Sequence, residues 1–476
     1  MWITARERKY AQQNFNEVHH TTLNPEGPGV VRIHLIPPVL RGKCELASSI
    51  VILNGQDVLP VNLSWSILLI EFIKEVNRFS GRAVTDEDLE VIRKNTLKSV
   101  RRVYPLIGAG RMNRDIYYLM NTFKQVAYGE PVDAQIGVME LGAYAPYMRA
   151  PHRMDLMVSA MTKDGKWHCN QRCVHCYAAG QPEASEEELS TDEWKLIIDR
   201  CREACIPQVT FTGGEPTMRD DLPELIDYAK WFITRLNTNG VKLTKEYCKE
   251  LRAASLDSMQ ITFYSSDEAI HNALVGTNGY SHTVEGIKNA LEAGINISVN
   301  TPLCTKNRDY RATLEFLHGL GVTYVTCSGL ITTGNAALEG SERLQLSRGE
   351  ISEILRESVE YCYANGMEIS FTSPGWVDEE LCSELGIRTP NCGACLSNMA
   401  VTPGGNVVPC QSWLSGPVLG SMLRDDWADI WNSEECRERR GYSAQMRCEC
   451  PLRKTAAAHL TESTKGEPCA DGSEQL

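Results

Sequence analysis

Three cysteines fall within eight residues, Cys169, Cys173 and Cys176, spaced CxxxCxxC in Cys-Asn-Gln-Arg-Cys-Val-His-Cys. Thiolates bind iron and zinc, and three from one loop can wrap a compact cluster. A [4Fe–4S] cube prefers a cysteine on each iron. A loop offering only three leaves one iron open, and an open position is where a metal site takes substrate or cofactor. The alternative is zinc, with His175 completing a Cys3His set, or plain buried thiols.

A second group lies near the C-terminus. Cys392-Gly-Ala-Cys395 is followed by Val401-Thr-Pro-Gly404-Gly405-Asn-Val-Val-Pro-Cys410, then Leu419-Gly420, Trp427-Ala-Asp-Ile-Trp431, Cys436, Cys448-Glu-Cys450 and a lone Cys469. Residues 399–409 predict a hairpin with a Pro-Gly-Gly turn, which would bring the flanking cysteines together. A zinc ribbon pairing Cys392 and Cys395 with Cys448 and Cys450 is the alternative on spacing alone. Cys382 and Cys436 read as structural. The chain holds 18 cysteines. In a reducing compartment that many thiols point to metal ligation ahead of disulfides.

The remaining composition narrows the function classes. A net charge of −13 argues against a nucleic-acid partner, because phosphate binding needs clustered Lys and Arg. The basic run at 94–102 recurs at helical spacing and reads as a solvated helix face. The most apolar stretch, 61–73, is interrupted by Asn62, Ser64, Ser66 and Glu71, too short and too polar to span a membrane. Residues 1–14 lack a secretory pattern. The expectation is a cytoplasmic protein with no membrane partner.

Elements must position these cysteines. Six β-branched runs, at 153–162, 208–212, 233–237, 258–264, 296–301 and 323–327, predict strands. Helical patterns separate them at 221–232, 244–254, 281–293 and 310–319. The first helix starts at a capping box, Ser190 with Glu193, and Leu189 with Trp194 is placed as a hydrophobic staple. Repeated βαβ units predict an α/β fold with a parallel sheet. Six units predict a curved, open (β/α)6 barrel with its chemistry at the strands' C-terminal ends. The CxxxCxxC loop follows the first strand. The second ends in Gly213-Gly214-Glu215-Pro216, where two glycines allow close approach of backbone to a ligand. Strands at 32–36, 49–53 and 58–62, with helices at 64–79 and 86–103, predict a small N-terminal α+β domain. The expected organisation is 1–110 for this domain, 111–150 a connector, 151–335 the barrel, 336–385 a helical connector begun by a capping box at Ser347 and Glu350, and 386–476 a cysteine-rich domain.

In this order, the cysteine loop CNQRCVHCY and the strand end GGEP resemble the radical SAM superfamily. The resemblance implies that Cys169, Cys173 and Cys176 hold a [4Fe–4S] cluster whose open iron chelates S-adenosylmethionine. It places the methionine ammonium at Gly213, Gly214, Glu215 and Pro216, and the adenine near His175 and Tyr177. Thr238, Asn239, Thr262 and Asn300 are the further candidate contacts. It also implies reductive cleavage to a 5′-deoxyadenosyl radical that takes hydrogen from a substrate, with electrons from a flavodoxin- or ferredoxin-type donor. The sequence departs from the family at Thr262-Phe-Tyr-Ser265, where a Ser-Leu-Asp-Gly-like turn is common, and at Val275, where arginine is common. His271 reads as structural.

The C-terminal stretch resembles the SPASM/twitch extension of such enzymes. That implies an auxiliary iron–sulfur cluster ligated from among Cys392, Cys395, Cys410, Cys448 and Cys450. One such cluster is the expectation and two the alternative, because the downstream cysteine series is shorter than the full pattern. Enzymes of this type largely modify ribosomally made peptides, and some act on tetrapyrroles or other small molecules. Residues 51–61 with the helices after them resemble the winged-helix elements that bind leader peptides by strand addition. A packing role alone is the other reading. Cys304 and Cys327, near predicted strand ends, are candidate hydrogen-atom donors, with buried structural thiols the plainer reading. The leading expectation is a radical peptide-modifying enzyme. A small-molecule enzyme and a non-catalytic iron–sulfur or zinc scaffold are the alternatives.

Overall fold

The inner N-terminal strands are buried at every position, which explains where that region sits. The structure is a computed structural model describing residues 3–23, 31–40, 47–54, 57–79, 84–127, 141–338, 340–445 and 449–453. Strands β1 (His19–Leu23), β2 (Val31–Ile36), β3 (Ser49–Leu53) and β4 (Asp57–Val61) form an antiparallel sheet in that order. Ile33, Leu35, Val51 and Leu53 enter a core shared with the helix Leu63–Val76. Their neighbours Ile36, Ile50 and Ile52 pack into the central core instead. Successive side chains point to opposite faces, so strands apolar at nearly every position are covered on both. On the barrel-facing side, Arg32 pairs with Asp257 at 2.7 Å, and its Nη1 donates to the Lys230 carbonyl at 2.6 Å. His34 Nε2 lies 3.0 Å from the Trp231 carbonyl.

The six expected barrel strands are present. They are β5 (Arg153–Ser159), then, past a short β6–β7 hairpin (Thr162–Lys163 and Lys166–Trp167), β8 (Gln208–Gly213), β9 (Ile233–Thr238), β10 (Ser258–Thr262), β11 (Asn296–Pro302) and β12 (Tyr324–Ser328). The sheet continues further. β13 (Glu368–Phe371) pairs parallel with β12, and β14 (Asn398–Val401) pairs parallel with β5. With β15 (Asn406–Val408) and β16 (Gly420–Ser421) antiparallel beyond β14, the ten-stranded order is β13-β12-β11-β10-β9-β8-β5-β14-β15-β16. The sheet stays open, since β13 ends one side and the β15–β16 hairpin covers the other.

Helices begin where local chemistry says they should. Ser190 N–H donates to Glu193 at 2.9 Å and Ser347 N–H to Glu350 at 2.7 Å, closing both capping boxes. Trp194 is fully buried against the partly buried Leu189 region of the core. The basic run at 94–102 lies in the helix Asp86–Val103, with Lys94, Lys98, Arg101 and Arg102 exposed. The apolar stretch at 61–73 is a packed helix, and no helix among the described residues is long and apolar enough to cross a membrane.

Several elements differ from expectation. The segment expected as a helical connector adds β13, four residues too short to show a period. The N-terminal region also contains β1 and the helix Ala5–Asn14. The 111–150 connector is partly the helix Ala109–Ala127, and the helix Glu268–Val275 follows β10.

Candidate active site

The CxxxCxxC loop is held almost wholly by its backbone. Arg172 N–H donates to the Val275 carbonyl at 2.8 Å and Val174 N–H to the Leu274 carbonyl at 3.0 Å. On the other side, Asn335 N–H donates to the Cys176 carbonyl at 2.9 Å, and its side chain to the Cys173 carbonyl at 3.0 Å. Two glycines allow these approaches. A Cβ on Gly276 would lie 2.5 Å from the Arg172 oxygen, and one on Gly334 would lie 2.4 Å from the Cys176 oxygen. Val275 thus serves the loop through its carbonyl while its side chain is buried. Neither Asn335 nor the two glycines emerged from the sequence. The C-terminal glycine of a helix at Gly276, φ +68°, was the available signal.

Cys169, Cys173 and Cys176 line one cavity of about 480 Å³, enclosed by the open barrel. Burial pushes the Cys169 thiol up to about 12 and raises Cys173 and Cys176 as well. Three thiols buried this way are poor anions unless a cation joins them, and bound iron supplies that charge. Tyr264, also on the cavity wall, lies 3.0 Å from His175 Nε2 through its hydroxyl, and burial raises it well above the usual phenol range. Among the described residues, no three or more His, Cys, Asp and Glu side chains are gathered to hold a single metal ion. In an iron–sulfur cube each thiolate meets a different iron.

The second strand's end is built around Glu215. Buried to 1 % exposure, it accepts from Thr217 N–H (3.1 Å), the Thr217 hydroxyl (2.6 Å), the Thr238 hydroxyl (2.7 Å) and Asn239 N–H (2.8 Å). Burial raises its pKa and these hydrogen bonds oppose the rise. Asn239 Nδ2 donates to Asn170 Oδ1 at 2.6 Å, tying the end of β9 to the cysteine loop. The glycines also serve the strands themselves. A Cβ on Gly213, at φ +139°, would sit 2.2 Å from the Ser159 oxygen, and one on Gly214 would sit 2.8 Å from the Ala160 oxygen. They let β8 close against the end of β5, and both still border the cavity.

Tyr177, Glu215, Thr238, Asn239, Thr262 and Asn300 all line the cavity. Pro216 does not; it opens the 3-10 turn Pro216–Met218 and is buried. Cys304 and Cys327, the candidate hydrogen-atom donors, are fully buried away from it. Strand alternation is the reason for Cys327: Ser328 borders the cavity, while Cys327 faces the core. Cys304 packs with Leu274, Val275 and Leu330. His271 is buried with its Nδ1 accepting from Tyr264 N–H at 3.4 Å, a structural position.

The predicted hairpin is present as β14–β15. Glu186 caps its turn, accepting from Gly404 N–H at 3.0 Å and Asn406 Nδ2 at 2.7 Å. Cys395 N–H donates to the Pro409 carbonyl at 3.2 Å, so the hairpin does bring its flanks together. Cys392, Cys410 and Cys450 line the same cavity as the first three cysteines. Burial pushes Cys410 up to about 12, with the neighbouring Cys392 and Cys450 adding to it. Cys395 does not border the cavity. With φ +55°, it turns into the core against Cys436. Its S–H lowers the Cys436 thiol, assisted by Arg440, whose Nη1 lies 3.5 Å from that sulfur. Cys395 and Cys436 thus pack together, both fully buried. Cys448 and Cys469 lie outside the described residues. Trp427 and Trp431 clamp this region to the barrel by donating to the Arg149 and Met148 carbonyls at 2.9 and 3.2 Å.

Comparison with known proteins agrees with this arrangement. The radical SAM superfamily matches residues 168–318, and the SPASM iron–sulfur cluster-binding domain matches 392–452. An AdoMet-dependent heme synthase of Nitratidesulfovibrio vulgaris is 30% identical over 285 residues, 56% of this chain and 77% of that protein. A PqqA peptide cyclase of Streptomyces rochei is 26% identical over 273 residues, 55% of this chain and 72% of that one. Streptococcus suis SuiB bound to its precursor peptide SuiA shares the fold, with TM-score 0.55 and 11% identity over 82% of this chain and 86% of SuiB. This chain belongs to the radical SAM superfamily, as an enzyme that uses S-adenosylmethionine with iron–sulfur clusters and carries a C-terminal SPASM domain.

Proposed function

We propose that this enzyme abstracts hydrogen from a ribosomally made peptide and installs a cross-link or related modification. Cys169, Cys173 and Cys176 hold the cluster that binds S-adenosylmethionine, and Cys392, Cys410 and Cys450 hold an auxiliary one. Bound there, these groups supply reductive cleavage of S-adenosylmethionine, hydrogen-atom abstraction and electron transfer. The chain's own part is positioning. The Glu215 network fixes the ends of β8 and β9 beside the cysteine loop, and Tyr264 and His175 brace the loop from the opposite wall. The buried polar wall keeps the reacting carbon away from bulk water.

The observation carrying the peptide reading is the docked N-terminal sheet. Its β4 is an edge strand, with Val58 49 % exposed, and an extended peptide can add there by main-chain hydrogen bonds. The likeness to heme synthase favours a second reading, a tetrapyrrole substrate. Anaerobic reduction of the reconstituted protein with S-adenosylmethionine should yield 5′-deoxyadenosine; none at all would leave the scaffold reading. Co-expression with a short peptide encoded beside it should then shift that peptide's mass. An unchanged peptide, with turnover of an iron porphyrin, would move the assignment to tetrapyrroles.

A further inference from the structure

The cavity floor holds a cation, Arg235, that has no ion pair of its own among the described residues. Arg235, on β9, borders the cavity three residues before Thr238, roughly 10 Å below the strand end at about 3.3 Å per residue. It is half-buried at the cavity wall; burial and the charge of Arg153 lower its pKa, Tyr324 and Asp155 oppose that, and it makes no hydrogen bond among the described residues. Arg153 beside it is ion-paired with Asp155, although its Nε and Asp155 Oδ1 lack hydrogen-bond geometry. Its Nε lies 2.8 Å from Asp155 Oδ1, and its Nη2 donates to Oδ2 at 3.2 Å. Two guanidiniums against one carboxylate leave a surplus of one positive charge.

An independent observation points to the same spot. Thr210, on β8, is the register partner of Arg235 and also lines the cavity. It is 2 % exposed, and its hydroxyl has no hydrogen-bond partner. A buried hydroxyl left unpaired is costly, and a half-buried guanidinium without its own counter-ion is poised to take one. A ligand that accepts hydrogen bonds from both relieves both.

We propose that Arg235 and Thr210 form a subsite for one carboxylate of the substrate, anchoring it at the barrel floor while its reacting carbon faces the strand ends. The inference rests on reading this cavity as the substrate site. A singly charged, planar carboxylate fits a guanidinium fork and one hydroxyl, and balances the single surplus charge. It is too far down the barrel to be the carboxylate of S-adenosylmethionine chelated at the cysteine loop. Such a carboxylate could come from a glutamate or aspartate of a peptide or from a tetrapyrrole propionate.

The test is anaerobic calorimetry on the cluster-loaded, S-adenosylmethionine-bound enzyme, using two probe pairs. One is N-acetylglutamate methylamide against its glutamine counterpart. The other is coproporphyrin III against its tetra-amide. Wild type should prefer the acid in at least one pair, and the preferred pair names the source. Arg235→Gln should weaken that acid by roughly tenfold or more, as loss of a charged hydrogen bond implies. Arg235→Lys, which keeps the charge but loses the fork, should weaken the acid less than Arg235→Gln does, and Thr210→Val should lose a smaller factor. Wild type showing no preference in either pair, or Arg235→Gln binding the acid as tightly as wild type, overturns the subsite. Formation of 5′-deoxyadenosine by wild type without any probe tests the underlying enzyme reading separately, so the two can fail independently. Thermal melting of each variant identifies loss of fold.

Discussion

The two cysteine groups reach the same cavity by opposite routes. Cys169, Cys173 and Cys176 come from one loop, eight residues long, whose backbone is held on both sides by neighbouring segments. Cys392, Cys410 and Cys450 come from a loop, a hairpin end and a later segment, gathered only when β14 joins β5. Spacing therefore identifies the members of the first group. In the second, spacing suggested Cys395 as readily as Cys392, and tertiary packing separated them. The lesson is physical: a site confined to one loop is encoded by local geometry, and a dispersed one by the sheet that assembles it.

The largest expected effect tests this difference directly. Cys173→Ala should lower 5′-deoxyadenosine formation by about a hundredfold or more, whereas Cys410→Ala should remove auxiliary iron and leave S-adenosylmethionine cleavage measurable. Equal loss from both, read by iron content and product chromatography, would erase the distinction. Next is Gly213→Ala, which forces a Cβ to 2.2 Å from the Ser159 oxygen and should cost roughly 2–4 kcal/mol. A melting temperature unchanged by it would mean that β8 and β5 need not close. Cys395→Ala should retain auxiliary iron and cost about 1–3 kcal/mol through a small cavity and a lost S–H contact, whereas Cys392→Ala should lose the iron. The reverse pattern would return Cys395 to the ligand set.

The smallest effect extends the comparison to the other assembled junction, the N-terminal sheet on the barrel. Burial, with nearby Arg32 and Arg202, lowers His20 to about 3, and burial with His20 lowers His34 well below its usual value. Both fold in the neutral form. The unfolded chain binds more protons below its histidine pKa near 6.5, so this stability is present above that pH and lost as pH falls toward the folded values. Each histidine should cost on the order of 1 kcal/mol per pH unit below about 6.5. Hydrogen exchange of β1 and β2 amides, corrected for intrinsic rates, should lose protection between pH 7.5 and 5.5. Undiminished protection would remove the histidines from the docking account.

Much of the barrel was legible because its signals are local. β-branched runs marked β5 and β8 to β12, and capping boxes at Ser190 and Ser347 marked two helix starts. The helix Asp86–Val103 starts the same way in the structure, with Thr85 and Asp88 closing a capping box. The helix Ala109–Ala127 was legible in principle, since buried Met112, Ile116 and Leu119 recur at helical spacing, but glycines at its start hid it. β13 could not be read, because four residues carry no usable period.

Residue types, their order and their spacing determined the first cysteine loop, the Gly-Gly-Glu-Pro strand end and the open α/β barrel, since each depends on neighbours within a few residues. The tertiary structure alone decided that Cys395 faces Cys436, that Cys304 and Cys327 face away from the cavity, and that Arg235 and Thr210 share its floor. Those outcomes depend on which face of a strand turns inward and which strands lie side by side, and contacts between residues far apart in the chain set both.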